Sequence, residues 1–161
     1  MEIAPTPELN SLERGQLGVM IVHGIILAIL LIAAAAVPAF ATADDTGISP
    51  FAVLGSLGLL LLYPALLGPI RRYRAWGYAL DEAELRLNHG LWTHVETLVP
   101  LRRVQHLDVA QGPIERMFGV TRLVMHTAGT ANSAVVLPGL SRATAEAIRD
   151  EIRAQIRQEP E

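Results

Sequence analysis

The chain has 161 residues, of which 51% are hydrophobic and only 18% are charged. Soluble domains carry about a quarter charged residues, so this composition excludes a fully water-exposed globular chain. The formal net charge of −3 gives no basic excess for nucleic acid. Because the chain has no cysteine, disulfides, thiolate nucleophiles and cysteine-based metal sites are excluded as well.

The first predicted element is a membrane helix over residues 17–40, after an N-terminal segment of residues 1–16. This stretch contains no charged residue. At ~1.5 Å per residue it makes a helix of roughly 36 Å, which crosses a ~30 Å hydrocarbon core with some tilt. A signal-peptidase site at Ala39-Phe40-Ala41 is the alternative, but the apolar run is far longer than the ~7–15 residues of a signal peptide. We therefore expect an uncleaved span.

A second uncharged stretch, residues 51–70, predicts a second membrane helix, and residues 41–50 form a short loop between the two. The loop contains Asp44 and Asp45 and no basic residue. Four arginines flank the outer ends of the helices: Arg14, Arg71, Arg72 and Arg74. The positive-inside rule therefore places both termini in the cytoplasm and the acidic loop outside.

Small residues and prolines in the spans give two further expectations. Gly55 and Gly58 predict a close approach of the second helix to the first, near residues 33–36. Pro64 and Pro69 are expected to bend or end the second helix near the cytoplasmic face.

Residues 75–158 predict a small, mainly β domain on the cytoplasmic side. Apolar and polar residues alternate in about six short stretches with turn residues between them, which favours a small barrel or sandwich. Pro113 is well placed to begin a short helix that Gly119 closes. Near the end of the chain, Ser141 is a good N-cap for an amphipathic helix that would cover the open end of the barrel. Its apolar stripe is Ala145, Ile148, Ile152 and Ile156.

Short strings of residues between Tyr78 and Leu140 occur in a recognisable order. They are Tyr78-Ala79-Leu80-Asp81, Gly90, Leu98-Val99-Pro100-Leu101, Arg103-Val104-Gln105-His106, Gln111-Gly112-Pro113-Ile114-Glu115-Arg116-Met117-Phe118-Gly119, Thr127-Ala128-Gly129 and Leu137-Pro138-Gly139-Leu140. The ordered set resembles the YdbS-like family of bacterial membrane proteins with a pleckstrin-homology-like (PH-like) domain. The resemblance implies a seven-stranded, partly open barrel capped by a C-terminal helix and tethered by two membrane helices. The seventh strand is then expected within residues 91–101 or near Arg102.

One set of polar residues stands out as a candidate patch: Arg102, Arg103, Gln105 and Arg116. In a functional interpretation these side chains bind a partner protein or a lipid headgroup, with two of them on one strand face. In a structural interpretation they hold the segment 111–119 onto the barrel and pair with Glu115 or Asp108. We favour the structural interpretation, because strings shared within a fold family usually reflect packing and turns.

Other chemistry has weaker support in the sequence. The domain contains four histidines without a short metal-ligand spacing: His89, His94, His106 and His126. Ser133 and Asp108 lack a nucleophile elbow, and residues 127–132 contain too little glycine for a phosphate-binding loop. We therefore predict no catalytic residue, no metal and no cofactor.

The sequence as a whole predicts a non-enzymatic, membrane-tethered PH-like module. It would present a protein-interaction surface at the inner face of the bacterial plasma membrane, to another membrane protein. A lipid-headgroup or membrane-surface domain is the alternative, although arginines and acidic residues nearly balance from Arg71 onward. An unrecognised enzyme or metal protein is a minor alternative. Fold analogy with eukaryotic PH domains is by itself weak support for lipid binding.

Overall fold

The computed structural model describes residues 9–128 and 134–158, with the backbone alone at Thr46, Arg157 and Gln158. The predicted loop around Gly129, together with Ser133 and the last three residues, lies outside the described residues. The chain divides into two compact units. One is Leu17–Arg71, and the other joins the residues up to Gln16 with Arg72–Glu161.

Helices make up the first unit and extend beyond the predicted bounds. Helix α1 is Arg14–Ala41, α2 is the single turn Ala43–Thr46, and α3 is Pro50–Arg74. Both long helices are apolar enough to cross a membrane, with a mean hydropathy of 2.8 over an 18-residue stretch of α1 and 2.0 over one of α3. Helix α3 continues through Pro64 and Pro69, so neither proline ends it.

Within this unit the two long helices approach each other at Gly24, which is outside the predicted contact. A Cβ atom on Gly24 would lie 2.9 Å from the carbonyl oxygen of Ala65, so only glycine fits there without a shift. The predicted contact through Gly55 and Gly58 is wrong. Nothing in the described residues lies within 4 Å of a Cβ at Gly55, and at Gly58 the nearest atom is Ile32 Cδ1 at 3.7 Å. The reason is that backbone meets backbone at Gly24, whereas Gly58 meets only the end of a flexible side chain.

The second unit is the β domain, and its described part contains six strands, two helices and a 3₁₀ turn. In chain order they are β1 Gly77–Leu80, β2 Glu84–His89, β3 Val95–Pro100, the 3₁₀ turn Leu101–Arg103, β4 Val104–Ala110, α4 Pro113–Met117, β5 Thr121–Thr127, β6 Ala134–Leu140 and α5 Arg142–Gln158. The strands form two antiparallel sheets, with orders β1-β2-β3 and β4-β5-β6.

These sheets are not a closed barrel, which corrects the fold that the resemblance implies. Pro100 has no N–H group for a further ladder bond, and the 3₁₀ turn Leu101–Arg103 interrupts the extended backbone. Strands β3 and β4 therefore belong to different sheets. Within the described residues, 91–101 contains only β3 and no seventh strand follows near Arg102. The six strands expected from periodicity are the six observed.

Both sheets and α5 bury their apolar residues in one core. Its most buried members from the sheets and the helix are Leu85, Leu87, Leu123, Met125, Leu137, Leu140, Ala145 and Ile152. The predicted N-cap is confirmed, since Ser141 Oγ accepts a hydrogen bond of 3.0 Å from the backbone N–H of Thr144. Ile156 is 38% exposed, so the apolar stripe leaves the core in its last turn.

The N-terminal segment is part of the β domain. Asn10 and Tyr78 exchange two backbone hydrogen bonds, of 2.7 and 3.0 Å, and form an isolated antiparallel bridge on β1. Leu12 is 2% exposed within the core, and Tyr73 Oη donates a 2.7 Å hydrogen bond to its carbonyl oxygen. Residues 9–16 therefore belong with the domain predicted for residues 75–158.

Candidate functional site

The arginines that predict topology lie at the outer ends of the long helices. Arg14 is the first residue of α1, and the others occupy the last turn of α3: Arg71, Arg72 and Arg74. All four residues are exposed. Asp44 and Asp45 lie in α2, at the other end of both helices.

The four predicted patch residues are exposed but do not form one surface. Arg102 and Arg103 lie in the 3₁₀ turn, Gln105 lies near the start of β4, and Arg116 lies in α4 beyond the end of that strand. Arg103 does not share a strand face with Gln105, because the strand begins at Val104. A β-bulge between Val104 and His106 turns Gln105 outward.

Other residues hold the segment that contains α4. The Glu115 carboxylate, 7% exposed as a residue, accepts a hydrogen bond from the Gly112 N–H and pairs with Arg122 Nη1 at 3.3 Å. Gln111 Nε2 donates to the carbonyl oxygen of Val120 at 2.9 Å. The predicted pairing of the patch arginines with Glu115 is therefore wrong. Nothing in the sequence singles out Arg122, because the contact joins a helix to the following strand.

Asp108, the other predicted acidic partner, lies between two histidines. His106 Nε2 is 3.0 Å from one carboxylate oxygen and His126 Nε2 is 3.5 Å from the other. His89 is the last residue of β2, in the other sheet, and His94 lies in the loop between β2 and β3. Across the described ranges, no group of three or more His, Asp or Glu residues is arranged to hold a metal ion.

A groove runs along β4 beside α5 on the described part of the β domain. It consists of two adjoining hollows of about 290 and 280 Å³, which share Leu107 and Arg153. The polar residues that line it are Gln105, His106, Asp108, Gln111, Thr121, Arg142, Glu146, Arg149 and Arg153. Each hollow falls just below the ~300–1,000 Å³ of typical small-molecule pockets, so the groove suits side chains of an extended segment better than an enclosed ligand.

The side of the groove formed by α5 has a surplus of positive charge. Arg142 pairs with Glu146 and Arg149 pairs with Asp150, each at 2.9 Å. Arg153 has no carboxylate partner among the described residues, and it lies where the two hollows meet. Arginine binds carboxylates in a planar, two-pronged geometry, so the groove favours an acidic occupant.

Strand β4 forms the other wall and is the terminal strand of its sheet in the described residues. A terminal strand presents backbone N–H and C=O groups that an added strand can pair with. Gln105 is the one residue of the predicted patch that lines this groove.

A family model described as the bacterial PH domain matches residues 12–156. Over 107 residues the chain is 30% identical to the UPF0699 transmembrane protein YdbS of Bacillus subtilis strain 168, covering 64% of this chain and 65% of that protein. It is also 26% identical over 98 residues to the UPF0699 transmembrane protein YdbT of the same organism, covering 60% of this chain and 20% of YdbT. The chain thus spans less than two thirds of either relative.

No solved structure gave a significant match. The family match covers both long helices, the two sheets and most of α5. The two relatives are transmembrane proteins, and the chain has two helices of membrane-spanning length and apolarity. The chain is therefore an integral membrane protein that belongs to the bacterial PH domain family, and it is similar to the YdbS-type transmembrane proteins.

Proposed function

We propose that this chain is a non-enzymatic adaptor, tethered to the inner face of the bacterial plasma membrane, which binds another membrane protein through the β4–α5 groove. The partner supplies an extended segment with carboxylate side chains. The observation that carries this proposal is the groove itself, where a terminal strand and an arginine-lined helix face the same hollow.

The partner segment would make two kinds of contact with the groove, strand addition and ion pairs. Backbone hydrogen bonds to β4 would provide affinity without regard to sequence, while the arginines on α5 would select for acidic side chains. Thr121 and Gln111 add uncharged hydrogen-bonding groups to the lining.

The location at the inner face is supported by the connections of the chain. Residues up to Gln16 and those from Arg72 belong to one compact unit, joined by the Tyr73–Leu12 hydrogen bond. A chain that leaves this unit through α1 and returns through α3 crosses the membrane an even number of times. The flanking arginines then favour the cytoplasmic side for the β domain.

Site-specific photocrosslinking in intact membranes tests the groove. A benzoylphenylalanine at position 156 would lie in the groove, whereas at position 154 it would lie roughly 200° around the same helix. We expect a crosslinked protein from position 156 and none from position 154. Arg153→Glu combined with the position-156 probe should abolish the crosslink, because it reverses the charge at the centre of the groove.

Equal crosslinking from both positions would contradict a groove-specific partner. So would a crosslink that is unchanged by Arg153→Glu. The variant Arg153→Lys is the matched control: it keeps the charge but loses the two-pronged geometry, so it should weaken the crosslink less than the reversal does.

A further inference from the structure

We propose that the end of the β domain at which the chain leaves for α1 and returns from α3 docks onto the lipid bilayer through two exposed apolar tips. One tip is Trp92, in the loop between β2 and β3, and the other is Met117–Phe118, at the end of α4. This contact is separate from the β4–α5 groove and does not depend on a protein partner.

The loop that contains Trp92 lies beside the end of α3. Gly77 of β1 is paired with Asn88 of β2, so the β2–β3 loop emerges at the end of the sheet where the chain enters from the helix. The Trp76 ring, two residues after Arg74, stacks on His89 with ring centres 4.6 Å apart. Trp92 itself is 89% exposed.

The second tip lies beside the start of α1. The backbone of Gly15, in the first turn of that helix, packs directly against the carbonyl group of Phe118. A Cβ atom at Gly15 would also lie 2.8 Å from Val120 Cγ1, so only glycine permits this approach. Met117 is 80% exposed and Phe118 is 38% exposed. The uncharged membrane segment begins only two residues after Gly15, at Leu17.

Two features identify the bilayer as the occupant of this surface. Both tips flank the points where the chain enters its membrane helices, so anything that covers them must share that space with lipid headgroups. Tryptophan favours the membrane–water interface, because its large ring is apolar on one side and polar on the other.

Two arginines at this end of the domain agree with the proposed orientation. Arg74 and Arg116 lie at the end that carries the tips, where an anionic leaflet would attract them. Because the domain is tethered, its effective concentration at the surface is high and small tips are enough to orient it.

Tryptophan fluorescence of the full chain in phosphatidylcholine–phosphatidylglycerol vesicles tests the proposal. The chain has two tryptophans, so Trp76→Phe leaves Trp92 as the only one and retains an aromatic ring against His89. We expect lipids brominated on the acyl chain to reduce the Trp92 emission strongly. Acrylamide in the aqueous phase should quench it less than it quenches a water-exposed tryptophan.

The matched control places the only tryptophan at the opposite end of the sheet, with Trp76→Phe, Trp92→Phe and Ala83→Trp together. Its emission should respond to acrylamide and not to brominated lipid. The proposal would be overturned if Trp92 and this control were quenched equally by acrylamide, with no effect of brominated lipid on either.

The second tip is tested independently by Met117→Cys, because the chain has no native cysteine to react with the label. An environment-sensitive fluorophore on this cysteine should emit at shorter wavelength than the same label on Ala83→Cys. If the label emitted at the same wavelength at both sites, Met117 would not be part of the surface that docks onto the bilayer. Failure of both tips would leave the crosslinking test of the groove unaffected.

Discussion

Gly139 shows how a single residue joins the N-terminal segment to the β domain. It lies in β6, where the pairing with β5 shifts between Thr121 and Leu123, and its φ of 68° favours glycine. Its carbonyl oxygen accepts a 2.8 Å hydrogen bond from the Glu13 N–H. A Cβ atom at this position would lie 2.7 Å from Gln16 Cβ, so the missing side chain makes room for the start of α1.

Gly139→Ala is therefore predicted to destabilise the β domain by more than the ~1–3 kcal/mol of a strained backbone, because it also displaces Gln16. Gly119→Ala is the control, since it has a similar φ of 67° and no described atom within 4 Å of an added Cβ. The measurement is urea unfolding of the full chain in detergent, followed by tryptophan fluorescence. If the two variants lost equal free energy of unfolding, the contact between Gly139 and the N-terminal segment would contribute nothing to stability.

Tyr78 gives the domain a dependence on alkaline pH. Burial, and secondarily the Glu13 carboxylate, raise the pKa of its phenol above the ordinary value. A folded-state pKa above the unfolded one gives stability that is complete below about pH 10 and is lost as the pH rises through the folded value.

Tyr78→Phe should therefore flatten the fall in the free energy of unfolding above about pH 10, relative to the native chain. Unfolding curves at a series of alkaline pH values provide the measurement. If the free energy of unfolding falls equally with pH in the two proteins, ionisation of Tyr78 does not cause the loss of stability at alkaline pH.

At the level of elements, α5 is the part of the domain that local sequence patterns describe best. Its N-cap at Ser141 and its buried stripe of Ala145, Ile148 and Ile152 follow from helical spacing alone. Local patterns do not predict the bridge of Asn10 to Tyr78 or the pairing of Arg122 with Glu115, because each depends on how separate segments meet. The Gly55 and Gly58 prediction failed for the same reason, since helix rotation is not encoded in glycine spacing.

The difference between the buried and exposed ends of this helix can be measured. Ile152 is fully buried and Ile156 is 38% exposed. Ile152→Ala should reduce the free energy of unfolding by ~2–5 kcal/mol, because it leaves a cavity in the core. Ile156→Ala should cost about 1 kcal/mol or less, because less apolar area leaves water there on folding. Similar losses in both variants would contradict the assignment of Ile152 to the core.

For the whole molecule, the candidate site was only partly visible in the sequence. Gln105 of the predicted patch lines the groove, but the arginines that α5 contributes to the groove are not among the predicted site residues. Helical spacing indicates that Arg142, Arg149 and Arg153 lie away from the core, and it cannot indicate that they face β4. The two membrane segments were predictable because an uncharged run of that length has few alternatives.

The orientation of the molecule in the membrane is the claim on which its proposed role at the inner face depends. Because the chain has no cysteine, single cysteines can be introduced at Ser49, beside the acidic loop, and at Ala83, in the β domain. A membrane-impermeant maleimide should label Ser49→Cys in intact spheroplasts, and should label Ala83→Cys only after permeabilisation. Labelling of Ala83→Cys in intact spheroplasts, with Ser49→Cys protected, would contradict the cytoplasmic location of the domain.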